Sequence, residues 1–84
     1  MINVNVLFFG ATADSVGERE IEISLEENIK AEIALSQILE KFPALQKNHD
    51  VKSLHFAVNQ EYASGDEIIK NGDELAIFTA VSGA

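Results

Sequence analysis

The segment AEIALSQILEKFPAL, residues 31–45, is the part of the chain whose apolar residues follow the period of an α-helix. They recur at spacings of three and four and therefore share one helix face: Ala31, Ala34, Leu35, Ile38, Leu39, Phe42 and Leu45. Asn28 is a suitable N-cap, because its side-chain oxygen can accept an orphan backbone N–H. Pro43 disfavours helical geometry at Phe42, so the helix is predicted to end near Lys41 or Phe42.

On both sides of this predicted helix, apolar and polar residues alternate, which is typical of strands that bury one face. The alternating runs are Ile2 to Phe9, Arg19 to Leu25, Leu54 to Asn59 and Glu74 to Thr79. Gly10 to Gly17 contains Thr12, Asp14 and Ser15 and predicts a turn, so the first two runs are predicted to form a hairpin.

The remaining segments predict the connections. Gln46 to Lys52 is polar and indicates a loop, and Asn71-Gly72-Asp73 is a strong turn signal. Ile68 and Ile69 form a short apolar insert, which indicates a short additional strand. The sequence therefore predicts an α+β domain in which one main helix packs on one face of a mixed sheet.

Length and charge restrict the possible classes of protein. The chain has 84 residues, which predicts a single domain over residues 1–84. Lys and Arg total 6 against 14 Asp and Glu, giving a net charge of −8. Phosphate groups bind to clustered basic residues, so neither nucleic acid nor an anionic membrane is an expected partner. A protein partner with a basic or mixed docking surface fits better.

The sequence also bears on covalent chemistry and location. Cysteine is absent, which excludes disulfides, thiolate catalysis and cysteine-based metal sites. The first residues, MINVNVLFFGA, lack the basic start and the long apolar core of a signal peptide. No apolar run approaches the ~20 residues that a membrane-spanning helix needs. A cytoplasmic protein is therefore expected.

The first and last strands are apolar on both faces, which one covering helix does not explain. If every second residue of these two strands faces the helix, the residues between them face away from it: Leu7, Phe9, Ala76 and Phe78. If the two strands are neighbours, these residues form one exposed patch, which usually marks an interaction surface. His55 is expected beside this patch if its strand borders the last one. The alternative is that strand edges or a loop cover these residues.

The other polar residues show no catalytic or metal-binding pattern. His49 and His55 lack ligand partners at metal spacing, so no metal site is predicted, and His49 is expected to be solvated. No G-x-S-x-G or phosphate-loop motif is present. Tyr62 is expected to pack, with partner contact as the alternative. A charged sheet edge that disfavours pairing with another strand is expected from Glu18, Glu20 and Glu22.

The segment AIFTAVSGA, residues 76–84, carries no charged side chain, and its residues become small towards Ala84. Residues 79–84 are expected to form a flexible tail, which reaches about 20 Å when fully extended. A frayed terminus is the ordinary explanation. The alternative is that the carboxylate of Ala84 is, or derives from, a reacting group.

Four stretches carry a resemblance to a known family: VNVLFFG at 4–10, KFPAL at 41–45, AVNQEY at 57–62 and NGDELAIFTAVSG at 71–83. Together they resemble MoaD, the family of small sulfur-carrier subunits of molybdopterin synthase, and more distantly the thiazole sulfur carrier ThiS. With the element order, the resemblance spans nearly the whole chain. It implies a β-grasp, or ubiquitin-like, fold.

The resemblance also implies a function for the tail. In the family, a MoeB-like enzyme uses ATP to adenylate the terminal carboxylate, and sulfur then replaces AMP to leave a thiocarboxylate. The tail enters a MoaE-like large subunit, where sulfur passes to cyclic pyranopterin monophosphate during molybdenum cofactor biosynthesis. Gly83 and Ala84 would be the reacting end, and Val81 and Ser82 would contact partners. The chain would be a non-catalytic or co-substrate subunit of a heterotetrameric sulfurtransferase, with no cofactor bound to itself.

Two positions depart from the family pattern. Family members end in Gly-Gly where this sequence has Gly83-Ala84, and the proline common before Val-Ser-Gly-Gly is absent from Thr79-Ala80. The Ala84 methyl group would cost roughly 1–2 kcal/mol in any φ > 0 geometry, and ~1.4 kcal/mol is a tenfold loss in rate. Three explanations stay open: an intended change that blocks activation, a paralogue with weak or lost carrier activity, and a ubiquitin-like module that acts only by docking.

Overall fold

Five strands form one mixed sheet in the computed structural model, which describes residues 1–49 and 53–79. The strands are β1 (Ile2–Phe8), β2 (Glu20–Leu25), β3 (Leu54–Val58), β4 (Glu61–Tyr62) and β5 (Glu74–Thr79). Their order in the sheet is β2-β1-β5-β3-β4, with β1 parallel to β5 and the other neighbours antiparallel. The predicted mixed sheet is confirmed, and so is the pairing of the first two strands.

Three helices of the described part of the chain contribute to the core on one side of the sheet. We call this side the inner face and the opposite side the outer face. The main helix is α2, Ala31–Lys41, as the period of residues 31–45 predicts. Two helices of 6 residues each accompany it, α1 at Ala11–Val16 and α3 at Pro43–Asn48. A mixed sheet packed around one main helix is the β-grasp arrangement, so the predicted α+β class is confirmed.

The core fills the space between α2 and the inner face. The strands bury alternate residues there: Ile2, Val4, Val6, Phe8, Ile23, Leu25, Phe56, Leu75 and Ile77. The helix buries Ala31, Ala34, Ile38 and Leu39. Because successive strand residues point to opposite faces, this inward set fixes which residues of β1 and β5 point outward.

Residues 11–16 form helix α1 where the sequence predicts a turn. Thr12 explains the difference: it is fully buried, and its hydroxyl donates to the Ile77 carbonyl oxygen at 2.8 Å. The same hydroxyl lies 2.7 Å from the Phe9 carbonyl oxygen. Gly17 ends the helix with a φ of 84°, a left-handed conformation that suits glycine. The helix therefore depends on a contact with β5 that the local pattern does not contain.

The segment after α2 is also helical, where the sequence predicts a loop from Gln46 onward. Pro43 ends α2 and also occupies the first turn of α3. Residues of the first turn donate no hydrogen bond within the helix, so a proline there costs none. Leu45 of α3 is buried in the core. His49, expected to be solvated, is half-buried, and its Nε2 lies 2.8 Å from the Ser15 hydroxyl oxygen of α1.

Helix α2 begins at Ala31 without the predicted cap from Asn28, which instead has a φ of 62°. The carbonyl oxygens of Glu67 and Gly65 accept hydrogen bonds from the N–H groups of Ala31 and Glu32, at 2.8 and 3.0 Å. These N–H groups are among the first four of the helix, which have no hydrogen-bond partner within it. The cap thus comes from a segment more than thirty residues further along the chain.

The Glu67 carboxylate organises this capping segment. It accepts hydrogen bonds from the N–H groups of Ser64, at 2.7 Å, and Gly65, at 2.9 Å. These bonds, the one from Ser64 foremost, hold the pKa of the Glu67 carboxyl below its ordinary value. Ionised Glu67 therefore helps to position the carbonyl groups that begin α2.

The short strand lies at Glu61–Tyr62 rather than at Ile68 and Ile69. Asn59 and Gln60 form the two-residue turn between β3 and β4, with φ values of 50° and 72°. Ile68 makes an isolated β-bridge, and Ile69 is buried. The short strand predicted at Ile68 and Ile69 is therefore wrong, and the short strand of the sheet lies earlier in the chain.

Candidate docking surface

The outer face brings together the five predicted surface residues that the structure describes. Strand β5 lies between β1 and β3, so side chains of three strands meet along it. The register places Leu7 beside Ala76, and Phe78 beside His55. Phe9 directly follows β1, and its N–H donates to the Ile77 carbonyl oxygen at 3.1 Å. The expected adjacency of the first and last strands is confirmed.

An open cavity of ≈ 810 Å³ lies on this face, and we call it the outer groove. Its apolar lining residues are Leu7, Phe9, Ala57, Tyr62, Ala76 and Phe78. Phe9 is 51% exposed and Tyr62 is 73% exposed, so the described residues do not cover them. Exposed aromatic side chains in one apolar patch are typical of protein interfaces.

Three rings form an aromatic cluster at the outer groove: His55, Tyr62 and Phe78. His55 stacks on Phe78, with ring centroids 5.6 Å apart and an interplanar angle of 21°. Tyr62 meets the His55 ring edge-on at 5.8 Å and lies 5.8 Å from the Phe78 ring. Tyr62 was expected to be packed, but it contacts these rings while remaining mostly exposed, because β4 is an edge strand.

Asn59 anchors the turn that positions Tyr62. Its side-chain Nδ2–H donates to Asp73 Oδ1 at 3.0 Å, and its Oδ1 accepts from the Glu74 N–H at 3.0 Å. The sequence pattern does not place Gln60 or Glu74 on the docking surface, and it offers partner contact by Tyr62 only as the alternative, although all three residues line the outer groove. A two-residue turn after Val58 would have placed Tyr62 opposite Ala57, as observed.

Carboxylates border the outer groove on the side of β2. Glu20 lies beside Leu7, and Glu22 lies beside Asn5, which has Glu74 on its other side. Glu20 and Glu22 are exposed on an edge strand, as predicted for the charged edge. Neither Lys nor Arg occurs in the five strands of the described ranges. The outer face is therefore apolar around β5 and acidic towards β2.

Other predictions concern the tail, metal ions and the membrane. Thr79, expected to begin the tail, is the last residue of β5 and pairs with Leu54. The predicted site residues Val81, Ser82, Gly83 and Ala84 lie outside the described residues. Within the described ranges, no group of three or more His, Asp or Glu side chains is placed to hold a metal ion. The helices described there are all too short or too polar to cross a membrane.

Fold and surface together define a β-grasp domain with an exposed apolar sheet face. The model of the ThiS family matches residues 6–83. The molybdopterin synthase sulfur carrier subunit of Caenorhabditis elegans is 42% identical over 85 residues, covering 99% of each chain. The chain therefore belongs to the ThiS family, among the sulfur carrier subunits of molybdopterin synthase.

Solved structures agree with this fold. The small archaeal modifier protein 1 of Haloferax volcanii matches with a TM-score of 0.84 and 26% identity, over 98% of this chain and 99% of that chain. A complex of subunits 1 and 2 of the molybdopterin-converting factor from Helicobacter pylori contains a chain that matches with a TM-score of 0.69. Its identity is 21%, over 99% of this chain and 100% of that chain, so this match concerns the fold.

Proposed function

We propose that this chain carries sulfur as a C-terminal thiocarboxylate and delivers it within a molybdopterin synthase. The observation that carries the proposal is an exposed apolar groove that reaches the end of β5 in a member of this family. Thr79, the last described residue, lines the outer groove, so the path towards Gly83 and Ala84 starts at this surface. Docking at the outer groove would therefore bring the reacting end close to a partner's site.

The proposed docking partner is a MoaE-like large subunit. The Helicobacter pylori complex supports this choice, because it pairs subunit 1 of the converting factor with subunit 2. Leu7, Phe9, Ala76, Phe78 and His55 would form the contact, with two copies of each subunit in a heterotetramer. Val81 and Ser82 are small and uncharged, which suits a segment that enters a narrow site.

The proposed reacting group is the carboxylate of Ala84. A carboxylate is a poor electrophile until one of its oxygens becomes part of a good leaving group. A MoeB-like enzyme would supply this by letting the carboxylate oxygen displace pyrophosphate from ATP, after which sulfur displaces AMP at the carbonyl carbon. The sulfur would then pass to cyclic pyranopterin monophosphate. The chain acts as a co-substrate in the cytoplasm and needs no bound cofactor of its own.

Intact-mass spectrometry tests the proposal. The parent chain and Ala84→Gly are incubated with the MoeB-like enzyme, ATP and a sulfur donor, and the fraction that gains the mass difference between sulfur and oxygen is followed. We expect Ala84→Gly to react faster, by about tenfold for each ~1.4 kcal/mol that the methyl group costs in the transition state. Affinity for the large subunit should be the same, because the outer groove lies upstream of the substitution.

A reaction without ATP is the control. Equal yields from both chains would show that the activating enzyme accepts alanine, and the impairment assigned to Ala84 would be wrong. No thiocarboxylate from either chain, with docking retained, would overturn the carrier proposal in favour of a ubiquitin-like module that only binds.

A further inference from the structure

His55 is the ring of the aromatic cluster that can carry a positive charge. It is half-buried on the outer face, where the imidazole stacks on the Phe78 ring and lies at 75° to the Tyr62 ring. Histidine is the side chain whose charge ordinarily changes between about pH 5 and 8. His55 does not itself line the outer groove, but it stacks on Phe78, which does, so a partner that covers the aromatic cluster covers a ring that can carry a positive charge.

The described groups that face His55 offer little compensation for such a charge. Strand β5 contributes the apolar ring of Phe78, and β4 contributes Tyr62, the titratable neighbour within the cluster. Helix α2 contributes Glu32, which lines a small pocket with His55. The Glu32 side chain is exposed, and an exposed carboxylate stabilises a nearby cation only weakly. Removing water from the imidazole should therefore favour its neutral form.

The charges on the outer face indicate what kind of surface covers His55. The carboxylates of this face lie away from His55: Glu20 and Glu22 are on β2, which β1 and β5 separate from β3, and Glu74 begins β5, four residues before Phe78. They therefore supply no nearby counter-charge for the imidazole. The immediate neighbours of His55 on this face are Phe78, Tyr62 and Ala57, which match an apolar cover.

We infer that the partner covers His55 with an uncharged surface, so that docking requires the neutral imidazole. This inference rests on the proposed function, because it takes the outer groove as the docking surface. The complex then holds fewer protons than the separated proteins at acidic pH, so affinity decreases as the pH falls through the histidine range.

The test measures the dissociation constant of the complex with the MoaE-like large subunit at about pH 7.5 and about pH 5.5. For the parent chain, we expect binding to be roughly tenfold weaker at the lower pH, because protonation of the imidazole would compete with docking. His55→Phe keeps an aromatic ring for Phe78 and removes the proton, so most of this dependence should disappear. His49→Gln removes the other histidine, which contacts Ser15 at α1, and should behave as the parent does.

Comparing the three chains against one preparation of the large subunit separates the titration of His55 from that of the partner. His55→Gln serves as a second neutral variant, and circular dichroism at both pH values shows that each chain is folded. If the His55 variants retain the parent's pH dependence, or if the parent binds more tightly at the lower pH, the inference is overturned while docking stands. Absence of parent binding at about pH 7.5 would overturn the proposed docking surface, and the inference with it.

Discussion

A substitution at Phe78 is the most direct test of the outer groove as a docking surface. Its ring contacts His55 and Tyr62, while the adjacent Ile77 is fully buried in the core. Phe78→Asp introduces a carboxylate into an apolar contact without touching the inner face. We predict that it costs about 2 kcal/mol or more of binding free energy to the MoaE-like subunit, as an aromatic hot spot does. Isothermal titration calorimetry measures this loss.

Ile33→Asp is the matched control, because Ile33 is 47% exposed on α2, away from the outer groove. It makes the same kind of change and should leave the binding affinity unaltered. Thermal unfolding of both variants shows whether each remains folded. Parent-like binding by Phe78→Asp would mean that the docking surface lies elsewhere.

The positions of Leu7, Phe9, Ala76 and Phe78 could be predicted, because apolar residues between two inward-facing ones must face outward. Tyr62 could not be placed in the same way. Its position depends on a two-residue turn through Gln60, and glutamine is not among the residues that signal positive φ. The Thr12 hydroxyl bond to Ile77 spans 65 positions, so no local pattern reveals it.

Helix α2 contains two isoleucines in opposite environments. Ile38 is 0% exposed in the core, and Ile33 is 47% exposed. Ile38→Ala should lower the free energy of unfolding by roughly 2–5 kcal/mol, because it leaves a cavity in the core. Ile33→Ala makes the same chemical change at the surface and should alter stability by only about 0.5 kcal/mol. Urea unfolding of both variants checks the difference, and equal losses would show that α2 is oriented differently.

The long, periodic elements were the predictable ones, and the short ones were not. Helix α2 and strands β1, β2, β3 and β5 repeat their apolar spacing often enough to identify both the type of element and the face that it buries. Helix α1 has 6 residues and is held by the buried Thr12, while its sequence has the composition of a turn. Pro43 is compatible both with the end of one helix and with the start of another. Because Leu45 is buried in the core, the segment after Pro43 forms helix α3. In each case a tertiary contact determines the local structure.

The distribution of charge distinguishes the two sides of the molecule. The net charge is −8, and the strands that the structure describes contain carboxylates but neither Lys nor Arg. The described basic residues lie in the helices and connections: Arg19, Lys30, Lys41, Lys47 and Lys70. A partner with basic residues around an apolar ridge would be attracted to the outer face before contact forms. Such attraction raises the association rate more than it raises affinity.

Association with the MoaE-like subunit should therefore slow as salt is added, because the screening length falls to about 10 Å at 0.1 M salt. Glu20→Gln removes a carboxylate beside Leu7 and should slow association by roughly twofold at low salt, with little change in dissociation. Glu40→Gln is the matched control: it removes an exposed carboxylate from α2 and gives the same net charge, −8 + 1 = −7. Stopped-flow measurement across a salt series compares the two variants. Equal slowing by both would mean that total charge, rather than the acidic border of the outer groove, guides the encounter.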